Sequence, residues 1–194
     1  MIDLGPATRA LTAIVAGVRD DQLTSPTPCA DTSVATLLDH VDGLSFAFTE
    51  AANKTVAPGG GPPPTPDASN LTPDWRTRIP ERLAALADAW RDDDAWTGTT
   101  YAGPIEMPAQ IAAYVAIDEV IVHGWDLAVA TGQRYAVEDA LVDAALGFVQ
   151  PQVEQNPNGT PGLFGPPQPA AGDAPPLERL IAATGRDPAW RARA

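Results

Sequence analysis

The 194-residue chain is poor in cysteine and in basic residues. Cys29 is the sole cysteine, which excludes an internal disulfide framework and a cysteine-based zinc finger. Lys and Arg number 12 against 25 Asp and Glu, so the formal net charge is -13. Such a balance argues against nucleic acid as a partner, because nucleic-acid binders need a basic patch to displace counterions. It also argues against a polybasic membrane-surface protein.

Long apolar runs are also lacking. No stretch approaches the ~18–20 apolar residues of a membrane span. The amino-terminal segment has no basic region ahead of its apolar stretch, which is unlike a secretory signal peptide. The sequence therefore predicts no membrane association and a reducing, cytoplasmic location.

Proline, by contrast, is abundant, with 21 residues that cluster between segments of helical periodicity. The clusters predict surface loops over Ala57–Asn70 and Asn156–Pro176 and an irregular segment over Trp96–Met107, with two short extended pieces as one option. Between them we predict helices over Leu4–Arg19, Val34–Ala52, within Pro73–Arg91, Pro108–Thr131 and Val137–Gln155, and a short one over Leu177–Thr184. The pattern indicates an all-α bundle over residues 1–155, followed by a Pro-rich loop, short helix and tail over 156–194.

The helix predicted over Pro108–Thr131 carries the candidate chemistry. It is apolar nearly all the way round, which predicts burial in the bundle. Glu119, His123 and Asp126 nevertheless fall within a sector of roughly 60°. Buried acidic side chains are rare unless they are paired or bind a ligand, so Glu119 beside His123 needs an explanation. An ordinary contact between residues four apart on a helix is one explanation, and a metal site is the other.

The only other histidine, His40, lies at the edge of the apolar stripe of the preceding candidate helix, Val34–Ala52. It can therefore face the bundle interior. Two imidazoles and one carboxylate with an open fourth position make a catalytic type of divalent metal site. The residues that would form it are His40, Glu119 and His123.

Four stretches of the chain together resemble the DinB-like superfamily, in its mycothiol-dependent maleylpyruvate isomerase branch. They are TPC at Thr27–Cys29, TLLDHVDG at Thr36–Gly43, DEVIVHGWDLAVATGQ at Asp118–Gln133 and ATGRDPAW at Ala183–Trp190. The third stretch is the most specific. The resemblance implies a four-helix DinB-like bundle, often a homodimer, that binds zinc or nickel through His40, Glu119 and His123.

The resemblance also implies a function. It points to a metal-dependent transferase or isomerase that uses mycothiol or a similar small thiol on a small electrophile. The isomerases proper carry an additional carboxy-terminal domain, and here a loop, a short helix and a tail stand in its place, so maleylpyruvate is not carried over as the substrate. Two alternatives stay open: a metal-dependent hydrolase with water as the nucleophile, and a non-catalytic metal- or ligand-binding bundle.

Three further residues bear on this site. Asp126 is a candidate for orienting His123 or a bound water, with a salt bridge or a helix cap as the equal alternative. Cys29 precedes a helix start that lies ~10 Å along the axis from His40, so we expect a small buried thiol rather than a metal ligand. Arg186 is expected to form a surface ion pair, with an anionic substrate group as the less favoured partner.

Overall fold

The computed structural model describes residues 1–57, 65–160 and 163–192. Six α-helices are present in this part of the chain. They are α1 (Gly5–Gly17), α2 (Val34–Ala52), α3 (Trp75–Ala89), α4 (Ala109–Thr131), α5 (Asp139–Gln155) and α6 (Pro176–Ala183). Short 3-10 turns cover Asp20–Gln22, Ala68–Asn70 and Asp93–Trp96. The predicted helices are thus confirmed, and their ends differ from the predicted bounds by at most two residues.

Helices α1 to α4 form a closed four-helix arrangement in which α2 packs on α3 and α4, and α1 packs on the same two helices. Helix α5 packs on α4, and α6 packs on α5. The predicted DinB-like helical bundle is confirmed. Within the described residues, no helix is both long and apolar enough to cross a membrane.

The segment Trp96–Met107 contains the two predicted extended pieces. They pair as an antiparallel hairpin, β1 (Thr99–Ala102) with β2 (Ile105–Pro108), in which Thr100 lies opposite Met107. Gly103 sits in the turn with a φ of 58°, a left-handed conformation that glycine adopts at little cost. The hairpin leads directly into α4 and packs against α2 and α4.

The loop predicted over Ala57–Asn70 lies partly outside the described residues, at 58–64. Its described end is anchored to α2, because the Asp39 carboxylate accepts hydrogen bonds from the Asp67 backbone N–H and the Asn70 side chain. Residues 161–162 of the second predicted loop also lie outside the description. Pro80 lies inside α3, which begins five residues earlier at Trp75.

Two local features orient α2 and therefore His40. The Ser33 hydroxyl accepts a hydrogen bond from the Thr36 backbone N–H at 3.2 Å, which caps the amino-terminal end of α2. On the face toward α3, the buried Asp42 carboxylate pairs with Arg78 at 2.5 Å and Arg82 at 3.0 Å. His40 lies on the side of α2 opposite Asp42, where α2 contacts α4.

Candidate metal centre

The structure brings both histidines of the chain to the same carboxylate. Glu119 Oε2 lies 2.9 Å from His123 Nε2 and 3.3 Å from His40 Nε2. The two imidazole rings meet edge to face, with their centroids 4.8 Å apart. One face of α4 supplies Glu119 and His123, and α2 supplies His40 across the helix contact.

The donor atoms of these three residues lie within 4.8 Å of one another. Ligand atoms ~2.1 Å from a tetrahedral zinc ion are separated by roughly 3.4 Å, so the present spacing fits an ion with little rearrangement. The side chains are exposed by 34% at His40, 20% at Glu119 and 11% at His123, so solvent reaches part of the cluster. The donor set is thus compatible with a divalent metal and with access from outside.

Gly43 lies about one turn beyond His40 on α2. A Cβ atom built at Gly43 meets no heavy atom of the described residues within 4 Å. Residues three apart on a helix share a face, so this free space lies on the side of α2 that carries His40.

Charge is strongly coupled within the cluster. Burial alone would raise the pKa of Glu119, but the neighbouring His123 and His40 hold it well below its ordinary value. Burial alone would lower the pKa of His123, but the Glu119 carboxylate and the hydrogen bond to Asp126 raise it well above its ordinary value. The carboxylate of Glu119 and the imidazole of His123 thus each favour the charged form of the other.

Asp126 contacts His123 from the side opposite Glu119. His123 Nδ1 donates to Asp126 Oδ2 at 3.0 Å, and the Asp126 side chain is fully buried. A neutral His123 with its proton on Nδ1 leaves the Nε2 lone pair directed toward Glu119 and His40. The sequence left two interpretations of Asp126 open, contact with His123 and a salt bridge. The structure contains both contacts.

That ion pair involves Arg186, which the sequence analysis expected at the surface. The expectation is wrong: the Arg186 side chain is only 12% exposed, and its Nη2 lies 3.0 Å from Asp126 Oδ2. Burial alone would lower the pKa of Arg186, but Asp126 outweighs burial and raises it. The sequence gives no signal for this burial, because Arg186 follows a helix in a polar tail and is brought inward only by the packing of α6.

Cys29 also lies nearer to the cluster than the helix rise suggested. Its Sγ is 3.2 Å from Asp126 Oδ2 and 3.2 Å from Arg186 Nη2. The loop before α2 folds back on itself through an isolated bridge between Pro26 and Ser33 and a hydrogen bond from Thr27 N to Thr32 O. Axial rise along a straight helix cannot anticipate such a reversal.

A second set of possible donors therefore exists, formed by Cys29, His123 and Asp126. The Arg186 guanidinium contacts both Cys29 and Asp126 and already supplies a positive charge there. Like charges repel, so this set is a poor place for a cation. The set formed by His40, Glu119 and His123 has no such competitor among the described residues.

Asp118 is a further buried carboxyl that sequence reasoning did not single out. It is 3% exposed, and its Oδ1 has no hydrogen-bond partner within the described part of the chain. Burial raises the pKa of Asp118 to about 8, with Glu119 adding to the shift. The signal in the sequence was its place in an otherwise apolar stretch of α4, directly before Glu119.

The bundle has the DinB-like fold, with the cluster of His40, Glu119 and His123 between α2 and α4. Residues 4–128 match the profile of the family described as mycothiol maleylpyruvate isomerase N-terminal domain. The chain belongs to this family.

Individual relatives agree with this assignment. Two uncharacterized proteins of Mycobacterium tuberculosis, from strains CDC 1551 / Oshkosh and ATCC 25618 / H37Rv, are each 30% identical over 181 residues, 93% of both chains. The crystal structure of the mycothiol-dependent maleylpyruvate isomerase is similar at a TM-score of 0.57 and 20% identity, over 76% of this chain and 65% of that one. A histidine-to-alanine mutant of that isomerase gives a TM-score of 0.62 at 17% identity, over 94% of this chain and 86% of that one. The match to the first structure thus spans less than two thirds of its length, and both likenesses show the fold alone.

Proposed function

We propose that the protein is a metal-dependent enzyme that uses mycothiol or a similar small thiol to act on a small electrophile, as a transferase or an isomerase. The observation that carries the proposal is the convergence of His40, Glu119 and His123, the chain's two histidines and one carboxylate, in a cluster that is partly exposed to solvent. Membership of the family supports mycothiol or a similar small thiol as the cosubstrate. The length difference from the isomerase structure leaves the electrophile to experiment.

The metal ligands in this proposal are His40 Nε2, Glu119 Oε2 and His123 Nε2. Two imidazoles with one carboxylate are a ligand set of catalytic zinc sites, so zinc is the first candidate and nickel the second. A divalent ion bound there would supply Lewis-acid chemistry that lowers the pKa of a small thiol. Three protein ligands leave one position for an exogenous group.

The protein's own residues have distinct tasks. Glu119 contacts both imidazoles and keeps their Nε2 atoms directed to a common point. Asp126 accepts a hydrogen bond from His123 Nδ1, and this bond selects the tautomer whose Nε2 lone pair is free. Gly43 leaves space for the thiol and its reaction partner beside His40.

The thiol can then react in one of two ways, by transfer or by isomerisation. In transfer, the thiol loses its proton to solvent, sulfur bonds to the electrophilic carbon, and the leaving group departs with its electron pair. In isomerisation, sulfur adds to a conjugated double bond, the resulting single bond rotates, and the carbon–sulfur bond breaks to return the thiol. A cytoplasmic setting would keep such a thiol reduced.

The test begins with elemental analysis of the purified protein and a screen of electrophiles with and without mycothiol. We expect one divalent metal per chain and turnover only when thiol is present. Glu119→Gln should lose metal and turnover, whereas Glu81→Gln, an exposed carboxylate on α3, is the matched control that should retain both. Turnover without thiol would favour the hydrolase, and metal without turnover would favour the non-catalytic binding bundle.

Cobalt substitution addresses thiol binding directly. If the fourth position accepts a thiol, adding millimolar mycothiol should produce an intense sulfur-to-metal charge-transfer band, because thiolates are good ligands for soft and borderline metals. An unchanged spectrum would contradict the thiol-using mechanism.

A further inference from the structure

The carboxy-terminal segment after α6 reaches into the centre of the molecule through a single side chain. Arg186 Nε lies 3.2 Å from both carboxylate oxygens of Asp126, and Nη2 lies 3.0 Å from Asp126 Oδ2. Nη1 donates to the Thr184 carbonyl at 3.2 Å. Nη2 also donates to Cys29 Sγ at 3.2 Å.

These contacts occupy every nitrogen of the guanidinium. The edge of the guanidinium formed by Nε and Nη2 is thus engaged by Asp126 and Cys29 and does not face a substrate group. Arg186 and His123 instead share one partner, because Asp126 Oδ2 accepts hydrogen bonds from both Arg186 Nη2 and His123 Nδ1. Cys29 completes the arrangement by donating its thiol proton to the same oxygen and accepting from Arg186.

We propose that Arg186 is a positioning residue that holds the Asp126 carboxylate against His123 and thereby sets the orientation of His123 as a metal ligand. The proposal rests on the proposed function for the role of His123. Nε and Nη2 form one edge of the planar guanidinium, and this edge fixes the carboxylate in rotation as well as position, which a single point charge does not. Without Arg186, the buried Asp126 carboxylate would keep only the contacts with His123 and Cys29 and would lose those that fix its rotation.

Metal affinity provides the first test. Arg186→Gln should weaken zinc binding about 10-fold to 100-fold in a chelator competition, the range typical of losing a partner behind a ligand. Arg186→Lys should recover part of this loss because it restores the charge. Arg191→Gln is the matched control in the same tail, since Arg191 is exposed and donates to the Pro188 and Trp190 carbonyls.

A double-mutant cycle separates positioning from general structural support. If Arg186 acts through Asp126, zinc affinity of Asp126→Asn/Arg186→Gln should equal that of Asp126→Asn within error. Additive losses would overturn the proposal, as would wild-type affinity in Arg186→Gln. The double variant also removes both buried charges together, so it remains informative if Arg186→Gln alone folds poorly.

A metal-independent measurement keeps this inference distinct from the proposed function. The chain has two histidines, so imidazole ¹⁵N resonances of the metal-free protein can be assigned with one His40→Ala variant. Arg186→Gln should shift the His123 Nδ1 resonance and leave those of His40 in place. Unchanged His123 resonances would overturn the role of Arg186 whether or not metal binds. Absence of metal binding in the wild type would overturn the proposed function alone.

Discussion

Histidine content makes the candidate site easy to test residue by residue. His40→Ala and His123→Ala should each reduce metal affinity by more than the about 10–100-fold that an outer partner contributes, because each removes one of three ligands. Elemental analysis after gel filtration measures the result. Equal metal content in wild type and His40→Ala would rule out this ligand set.

Cys29 offers the contrasting variant at the same scale. Its Sγ contacts Asp126 and Arg186 rather than the cluster of His40 and Glu119. Cys29→Ala should therefore keep the metal, with affinity changed by about tenfold or less, because all three proposed ligand atoms are unchanged and tenfold corresponds to ~1.4 kcal/mol, the order of a hydrogen bond. Loss of the metal in this variant would mean that the thiol is a ligand.

Tyr135 predicts how stability responds to alkali. Burial raises the pKa of its phenol well above the ordinary value, with Asp126 adding to the shift. Tyrosine in the unfolded chain ionises near pH ~10, so above that pH the unfolded state releases a proton that the folded state retains. The folded protein should lose stability as pH rises, and Tyr135→Phe should reduce the slope. Urea unfolding between about pH 8 and 11 compares the two, and identical slopes would contradict the assignment.

At the scale of elements, α4 is held close to the segment that follows it through Gly124. A Cβ atom at this position would clash with Tyr135 Oη and lie 2.6 Å from its Cζ. Glycine inside a helix costs ~1 kcal/mol relative to alanine, so the close contact explains why it is tolerated.

Gly124→Ala should consequently destabilise the fold by about 1–3 kcal/mol through overpacking, despite its better helix propensity. Thermal or urea unfolding gives the value. The matched control is Gly43→Ala, where the added Cβ has open space and the propensity term alone should raise stability. A stabilised Gly124→Ala would show that the Tyr135 ring moves aside at little cost.

At the scale of the whole molecule, the proposed site joins distant parts of the chain: α2, α4 and, through Arg186, the tail. A ligand that binds only the folded protein stabilises it by about 2.7 kcal/mol at a concentration 100 times its dissociation constant. Zinc should thus raise the midpoint of thermal unfolding by roughly 5–11 °C for a chain of this size. His123→Ala should show no such increase in differential scanning calorimetry, and a similar increase there would place the metal elsewhere.

The sequence by itself determined most of the helices and the candidate donor set. Helix periodicity, proline clusters and the Ser33 cap are local signals, and they located α2 to within the residue. The spacing of Glu119 and His123 on α4 put both on one face, since four residues are close to one helical turn. His40 at the edge of an apolar stripe could be expected to face the interior.

Only the tertiary structure decided what surrounds His123. Asp126 pairs with Arg186 across 60 residues, and Cys29 meets both across 97 and 157 residues. These contacts depend on how α6 packs and how the loop before α2 reverses, and neither leaves a periodic trace in the residues concerned. Local periodicity reports which face of a helix is buried, whereas the partner that buries it is selected by packing of the entire chain.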